Sequence, residues 1–583
     1  MKKIIYIYIS VLFICLSSCD DFLDRYPQDR IAAVNYFYTP DDLKAYMNSF
    51  YGINFWPKPS THGSDFDSDN QISINVNTRL DGTRSPATTG NIGFGWVRRA
   101  NFFFENYKKV EENHYLSEYQ QYLGEAHFFR ALTYFSLLQT YGDIQWLTQV
   151  LSDNSPELYN AKDPRNFIAD KIIEDLDVAI TYLQTTKTDG CTRVNKWMAL
   201  LIQSRVALFE GSWEKYHANT PFGVSGANPN KYFQKAAEAA LELINNGPYA
   251  IYTTGGVNAY KNVLMLQDFS NNSEIMFWRK YDNDLGRGES AFTNDRLLRM
   301  RFPTNNAITK QLADSYLCDD GLPISLSPKF MGHESLSDEM QNRDPRFFHT
   351  IANRDEPRLI QDGVVTSYWG TDVYDKLNTT ADLNSLAGYI NIKGYNPNAS
   401  YHLNQYEESP QIIYRYAEAL LNYAEAKAEL GSISQADLDI SVNILRARVG
   451  MPAMALSIGF DDPAWDFPTL SSLINEIRRE RRVELACEGY RWNDIARWAA
   501  ADELIVGKRP KGFMASQIIS INPHPVDDKG FLDPFQKALR ENGATEGYDF
   551  VLGRDYLNCI PYPDLVLNKN LTQNPGWPDP RNQ

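Results

Sequence analysis

Two stretches of this chain carry the residue types needed to hold a flat, hydroxyl-rich ligand. The first runs from Phe55 and Trp56 through Asp65, Asp67, Asp69 and Asn70 to Arg79. The second joins Tyr281 and Arg287 to Tyr368, Trp369 and Tyr374. Aromatic faces pack beneath a ring, while planar carboxylate, amide and guanidinium groups bond its hydroxyls. Trp56, Asp67, Asp69, Asn70, Arg79, Tyr281, Arg287, Trp369 and Tyr374 are therefore the candidate ligand contacts. Core packing is the competing role for any single tryptophan. Trp278 ends the strand-like run from Ile275 and is expected in the core, and Trp96, ahead of Asn101, is expected to be structural. Trp369 sits between Tyr368 and Gly370 in a polar loop, where no periodicity demands burial.

Chemistry beyond binding is hard to find. The chain has no GxSxG, HExxH or Walker loop. Its eight histidines show no metal spacing, and Cys191, Cys318, Cys487 and Cys559 are far apart with no CxxC pair. No metal and no cofactor are expected. Glycoside hydrolysis needs only two carboxylates, and 73 acidic residues leave any pairing arbitrary, so a glycan-cleaving enzyme stays as an alternative. A net charge of −16 argues against nucleic acid as the partner.

The elements that must position these residues are mostly helical. Asn101 to Thr140 reads as helix, with Phe128, Leu132 and Phe135 on one face and Gly142 as the stop. Further helices are expected at Phe167–Leu183, Lys196–Phe209 and Phe233–Ile244, the last closed by Asn246-Gly247-Pro248. The spacing suggests irregular helix pairs of tetratricopeptide type without legible consensus residues. From about Tyr249 to Pro410 the chain turns rich in Asn, Asp, Gly and Pro, with connections long enough to be functional. Helices return with an apolar stripe from Ile413 to Ala428, then Leu438 to Val449 behind a Ser434/Asp437 capping box. Leu473–Ala486 and Asn493–Ala500 follow. Glu476/Arg479 and Arg481/Glu484 stand at i, i+3, which reads as an ion-paired helix.

The N-terminus reads as an export signal. Lys2 and Lys3 precede the apolar run Ile4–Phe13, and Leu16-Ser17-Ser18-Cys19 follows. The run is about half of the roughly 20 residues a spanning helix needs. Cleavage before Cys19 would leave a lipid-bearing cysteine at residue one, tethering a soluble body to a membrane.

Several segments in order resemble the SusD-like (RagB-like) family of outer-membrane nutrient-binding lipoproteins. They are Cys19-Asp20-Asp21-Phe22-Leu23-Asp24; Glu125 to Ala131 leading to Tyr141-Gly142-Asp143-Ile144; Arg343-Asp344-Pro345-Arg346; Tyr414 to Ala426; Ile474 to Leu485 with Gly489 to Asp494; and Ile560-Pro561 with Gln573-Asn574-Pro575-Gly576. Each also has a plain structural reading, as ion-paired helix, anchored turn or terminal-loop anchor, so these motifs identify a scaffold and not a ligand site. The resemblance implies a mostly α protein, an irregular tetratricopeptide-like helix-pair scaffold with long loop-rich insertions and a few short strands. It implies a signal peptide at 1–18, a lipidated tether at 19–40 and one domain at 41–583. Within that domain the scaffold is expected at about 95–247 and 411–500, and a ligand-facing insertion at about 249–410. It further implies a surface-exposed outer-membrane lipoprotein that binds oligosaccharide and passes it to a SusC-like TonB-dependent transporter. A lid of the same kind for peptides is the other reading. The family's ligand residues do not carry over by motif, because these loops vary most.

Overall fold

A computed structural model describes residues 36–52, 55–56, 64–73, 77–187, 189–282, 284, 306–353, 355–367, 386–401, 408–517, 525–535 and 546–582. Among them the helices of seven or more residues are α1 (Pro40–Asn48), α2 (Gly95–Asn106), α3 (Leu116–Tyr141), α4 (Arg165–Tyr182), α5 (Lys196–Tyr216), α6 (Pro229–Asn246), α7 (Ala259–Met265), α8 (Ala417–Glu429), α9 (Val442–Arg448), α10 (Ser472–Glu484) and α11 (Arg491–Arg497). The strands are β1 (Gln71–Ser73), β2 (Ile275–Arg279), β3 (Asn306–Ile308), β4 (Pro357–Gln361), β5 (Val364–Ser367) and β6 (Gln411–Arg415). They form three antiparallel pairs, β1 with β3, β2 with β6 and β4 with β5.

Each scaffold helix packs on the next. α3 lies on α4, α4 on α5, α5 on α6, α6 on α8, and α8 on α10. The main apolar core fills this stack, with Phe128, Leu138, Ile172, Leu201, Phe233 and Leu421 buried in it. A smaller core gathers Ile308, Tyr316, Phe347 and Tyr389 around the C-terminal end of α10. The fold is mostly α with a few short strands, as the sequence suggests.

The helix ends follow local chemistry. Asn195 caps α5: its Oδ1 accepts from the amides of Trp197 and Met198 at 3.1 Å, and its Nδ2 donates to the Tyr249 hydroxyl at 3.1 Å. Losing a buried cap that also ties down a neighbouring segment costs about 0.5–2 kcal/mol. Asn195→Ala is thus expected to lower the denaturant midpoint measurably, and an unshifted midpoint would refute this role. Gly142, at φ 73°, ends α3, and a Cβ there would meet Leu557 at 2.8 Å.

Three expectations need correction. The stretch Asn101–Thr140 is not one helix: α2 stops at Asn106, and α3 restarts where the Glu118 carboxylate accepts from the Tyr115 amide at 2.8 Å. Ile413 belongs to strand β6, paired with β2, and helix begins only at Ala417. The apolar spacing on either side of Tyr416 concealed that change of period. The Leu438–Val449 stripe splits at Ser441, although Leu438, Val442, Leu445 and Val449 are all buried as expected. The Ser434/Asp437 capping box is present.

α10 is the electrostatic hub. Glu476 pairs with Arg479 at 2.7 Å, as its spacing suggests. Arg481 instead reaches Asp494 and Asn422, both at 2.9 Å. Glu484 receives Arg346, Arg415 and Arg448 at 3.1, 2.6 and 2.6 Å. Asp344-Pro345 is not a free turn but the capped start of a short helix, Pro345–Thr350, and it aims Arg346, which is buried against Asp344, Glu480 and Glu484. Arg130 pairs elsewhere, with Asp175 at 2.7 Å.

Candidate functional site

A cleft of about 530 Å³ opens between the C-terminal half of α3, α5 and the start of α11. Phe55, Trp56, Trp96, Tyr414 and Tyr490 supply aromatic surface, and Ser136, Gln139 and Asn493 supply exposed or half-exposed polar groups. The Phe55 and Trp96 rings meet edge to face at 5.0 Å, and Trp56 sits 5.9 Å from Tyr414. Beneath them Arg205 grips both oxygens of Glu418 at 2.5 Å, and the Tyr490 hydroxyl donates to Glu418 at 3.0 Å. Burial in this clamp holds the Tyr490 phenol well above its ordinary value, so it stays a donor.

The carboxylates lining the cleft are already spent. Glu488 is held by Arg415 at 2.7 Å and Lys393 at 2.6 Å. Asp494 is held by Arg481 and Arg497, both at 2.9 Å. An acid or base catalyst needs a proton it can exchange with a ligand; burial alone would raise the Glu488 carboxyl, but Arg415 and Lys393 hold it below its ordinary value. Among the described residues the cleft therefore offers stacking surface and hydrogen bonds. The described residues contain no group of three or more His, Cys, Asp or Glu side chains that could hold a metal.

Four of the sequence-predicted residues, none of them lining this cleft, make contacts within the scaffold. Asp69 is buried between Arg491 at 2.7 Å and Arg482 at 2.7 Å. Burial works against its charge, but the two guanidiniums prevail and hold its carboxyl at about 2. Asn70 is buried too, donating to Asp65 at 2.9 Å and accepting from Arg482 at 2.8 Å. Both belong to the ion-paired interior; alternation of acids in a polar stretch could not distinguish that from a surface. Burial raises the neighbouring Asp65 to about 6, against bonds from Asn70 and the Cys487 and Gly489 amides. Asp67 and Arg79 pair at 3.5 Å with side chains 35% and 21% exposed, and the Arg79 guanidinium lies 4.3 Å over the Trp492 ring. They remain reachable from solvent.

Trp56 is only 2% exposed and its ring packs 4.8 Å from Phe277. That corrects its reading as an open platform: it is a wall shared by two cavities. Tyr281 is buried, with its hydroxyl donating to Gln411 at 3.2 Å, so its face is not free either. Trp278 is core, as expected. Arg287, Trp369, Tyr374 and Cys19 lie outside the described residues. Trp96, in the first turn of α2, and Tyr490, at the start of α11, line the cleft although the sequence reads both as scaffold. The alternative cleft, about 680 Å³ near Asp69, contains Trp465, but that ring already stacks on Phe460 and carries the Arg479 guanidinium at 4.8 Å.

Comparison with known proteins places this architecture. Residues 273–577 match the SusD family, and residues 32–208 match a family described as starch-binding and associating with the outer membrane. The chain belongs to the SusD family. It is 25% identical over 599 residues to SusD-like protein P2 of Formosa agariphila, covering 99% of this chain and 100% of that one. A SusD-like protein from Bacteroides fragilis has the same fold with a TM-score of 0.69 at 23% identity, covering 95% of this chain and 100% of that one. A second B. fragilis structure, a SusD-like carbohydrate-binding protein, gives a TM-score of 0.69 at 20% identity, covering 92% and 99%. No helix among the described residues is long and apolar enough to cross a membrane.

Proposed function

We propose that this chain binds oligo- or polysaccharide without cleaving it. It is held on the outer membrane by lipid at Cys19 and hands its ligand to a SusC-like TonB-dependent transporter. The observation that carries the binding reading is the aromatic cleft whose carboxylates are neutralised by arginine and lysine. Family membership and the stated character of its matched families support carbohydrate as the ligand class. The stacked helix pairs form the kind of extended surface used for protein partners, which suits a lid on a transporter. The acidic residues and the short apolar run at the N-terminus support lipid tethering over a spanning anchor.

Incubation of the purified protein with a panel of oligosaccharides, with a peptide mixture beside it, tests this reading. The expected outcome is saturable binding of at least one glycan and its recovery unchanged. Cleavage that follows the protein through purification would replace binding with hydrolysis, and binding of peptides alone would replace the ligand class.

A further inference from the structure

On the far side of Trp56 and Ile413 from the aromatic cleft lies a second pocket of about 560 Å³. The two cavities share those two side chains as a common wall. This pocket is floored by Phe277 and Trp278 at the end of β2, and Arg279 and Lys280 continue from that strand into its wall. Trp278 is fixed there by its own bond, Nε1 to the Gly190 carbonyl at 2.7 Å.

Two residues that line the pocket carry buried donors without a hydrogen-bond partner among the described residues. Trp56 Nε1 is fully buried and has no hydrogen-bond partner among the described residues. Arg279 Nη1 is likewise buried and unpartnered. Arg279 spends its Nη2 on the Trp56 carbonyl at 3.2 Å, which ties the two orphaned groups together. No carboxylate is among the described residues lining the pocket. Lys280 is exposed in the wall, and the Thr192 and Ser270 side chains complete the polar surface. A buried donor left unmade is costly, and the half-buried Arg279 brings a positive charge to a pocket that no carboxylate lines. Arg343 also lacks a carboxylate partner among the described residues, but its guanidinium is spent on the Glu339, Ala313 and Tyr316 carbonyls.

We infer that this pocket receives an anionic oxygen group, the carboxylate of a uronic acid or the sulfate of a sulfated sugar. The inference rests on the carbohydrate reading and narrows it. Trp56 Nε1 and Arg279 Nη1 donate to the anion, and Lys280 adds attraction at the wall. Because two sugar chemistries carry such a group, the test must separate them.

The probe is the Trp56 indole N–H, observed in protein labelled with 15N-tryptophan and assigned by its disappearance in Trp56→Phe. Sodium glucuronate and sodium sulfate are titrated separately, with glucose and sodium chloride at matched concentration and ionic strength as controls. The expected result is a saturable shift with glucuronate, with sulfate or with both, and none with the controls. Arg279→Gln should weaken that response at least ten-fold, and Lys280→Gln should weaken it less. A response to glucuronate alone assigns uronic acids, and one to sulfate alone assigns sulfated sugars. An indole unmoved by both anions, or moved equally by glucose, overturns the inference. If neutral oligosaccharides still bind in that case, the carbohydrate reading stands without it; if they do not, both fall. Should Arg279→Gln not fold, the wild-type titrations and Lys280→Gln still decide.

Discussion

Replacing Glu484 with alanine is expected to lower stability by about 3–5 kcal/mol, the cost of removing one partner from a buried ion cluster. Glu484 is fully buried and gathers Arg346, Arg415 and Arg448 from three separate segments of the chain. Glu274, Glu480 and Glu488 remain in the cluster but already serve Arg415, Arg448 or Arg346. They cannot accept a further full charge without leaving another guanidinium short. Glu484→Gln keeps an acceptor oxygen and should cost less than alanine. Urea or guanidinium melts of the two variants against the wild type measure this, and an alanine variant within 0.5 kcal/mol of wild type, about the scatter of surface substitutions, would refute the hub. The cluster also sets a pH dependence. Burial alone would raise the Glu484 carboxyl, but the three guanidiniums hold it well below its ordinary value. A depressed folded value means the stabilisation is complete above the unfolded glutamate value of about 4.3 and is lost as pH falls further. Acid titration should therefore show wild type losing stability below about pH 4, with the Gln variant flatter over the same range.

Much of the scaffold is visible in the sequence because helices advertise themselves by period. The starts of α4 and α6 and the Ser434/Asp437 cap fall within a few residues of expectation. β6 was read as helix because Ile413, Ala417 and Leu420 keep a helical spacing across a strand-to-helix junction. Strand β6 is set by its partner β2, more than a hundred residues earlier, and a local window does not contain that partner. The site was less legible for a related reason. Asp69 and Asn70 look like surface polar residues, yet Arg482 and Arg491, over four hundred residues later, draw them inside. Conversely, Trp96 and Tyr490 look like scaffold and line the cleft. Arg279 and Lys280 stood between two residues singled out as ligand contacts or core, and their only local signal was a pair of cations at the end of a buried strand.

Trp96 is the side chain on which the cleft depends most visibly. It is half-buried, with Phe55 against its edge at 5.0 Å and the Arg99 guanidinium 5.0 Å from its ring centre. As a wall of the cleft, its removal takes away stacking surface worth about 1–3 kcal/mol, by analogy with base–aromatic stacking. That corresponds to roughly 5- to 150-fold in affinity. A fully buried tryptophan such as Trp213 would instead report through folding, at about 3–5 kcal/mol on truncation to alanine. Calorimetric titration of the best-binding neutral oligosaccharide into wild type and Trp96→Ala, with thermal melts of both, is the most direct test that this cleft holds glycan. The account predicts saturable binding by the wild type and a 5- to 150-fold weaker Kd in a variant that still melts cooperatively. An unchanged Kd accompanied by a large fall in melting temperature would show that Trp96 only packs the scaffold and that the glycan binds elsewhere.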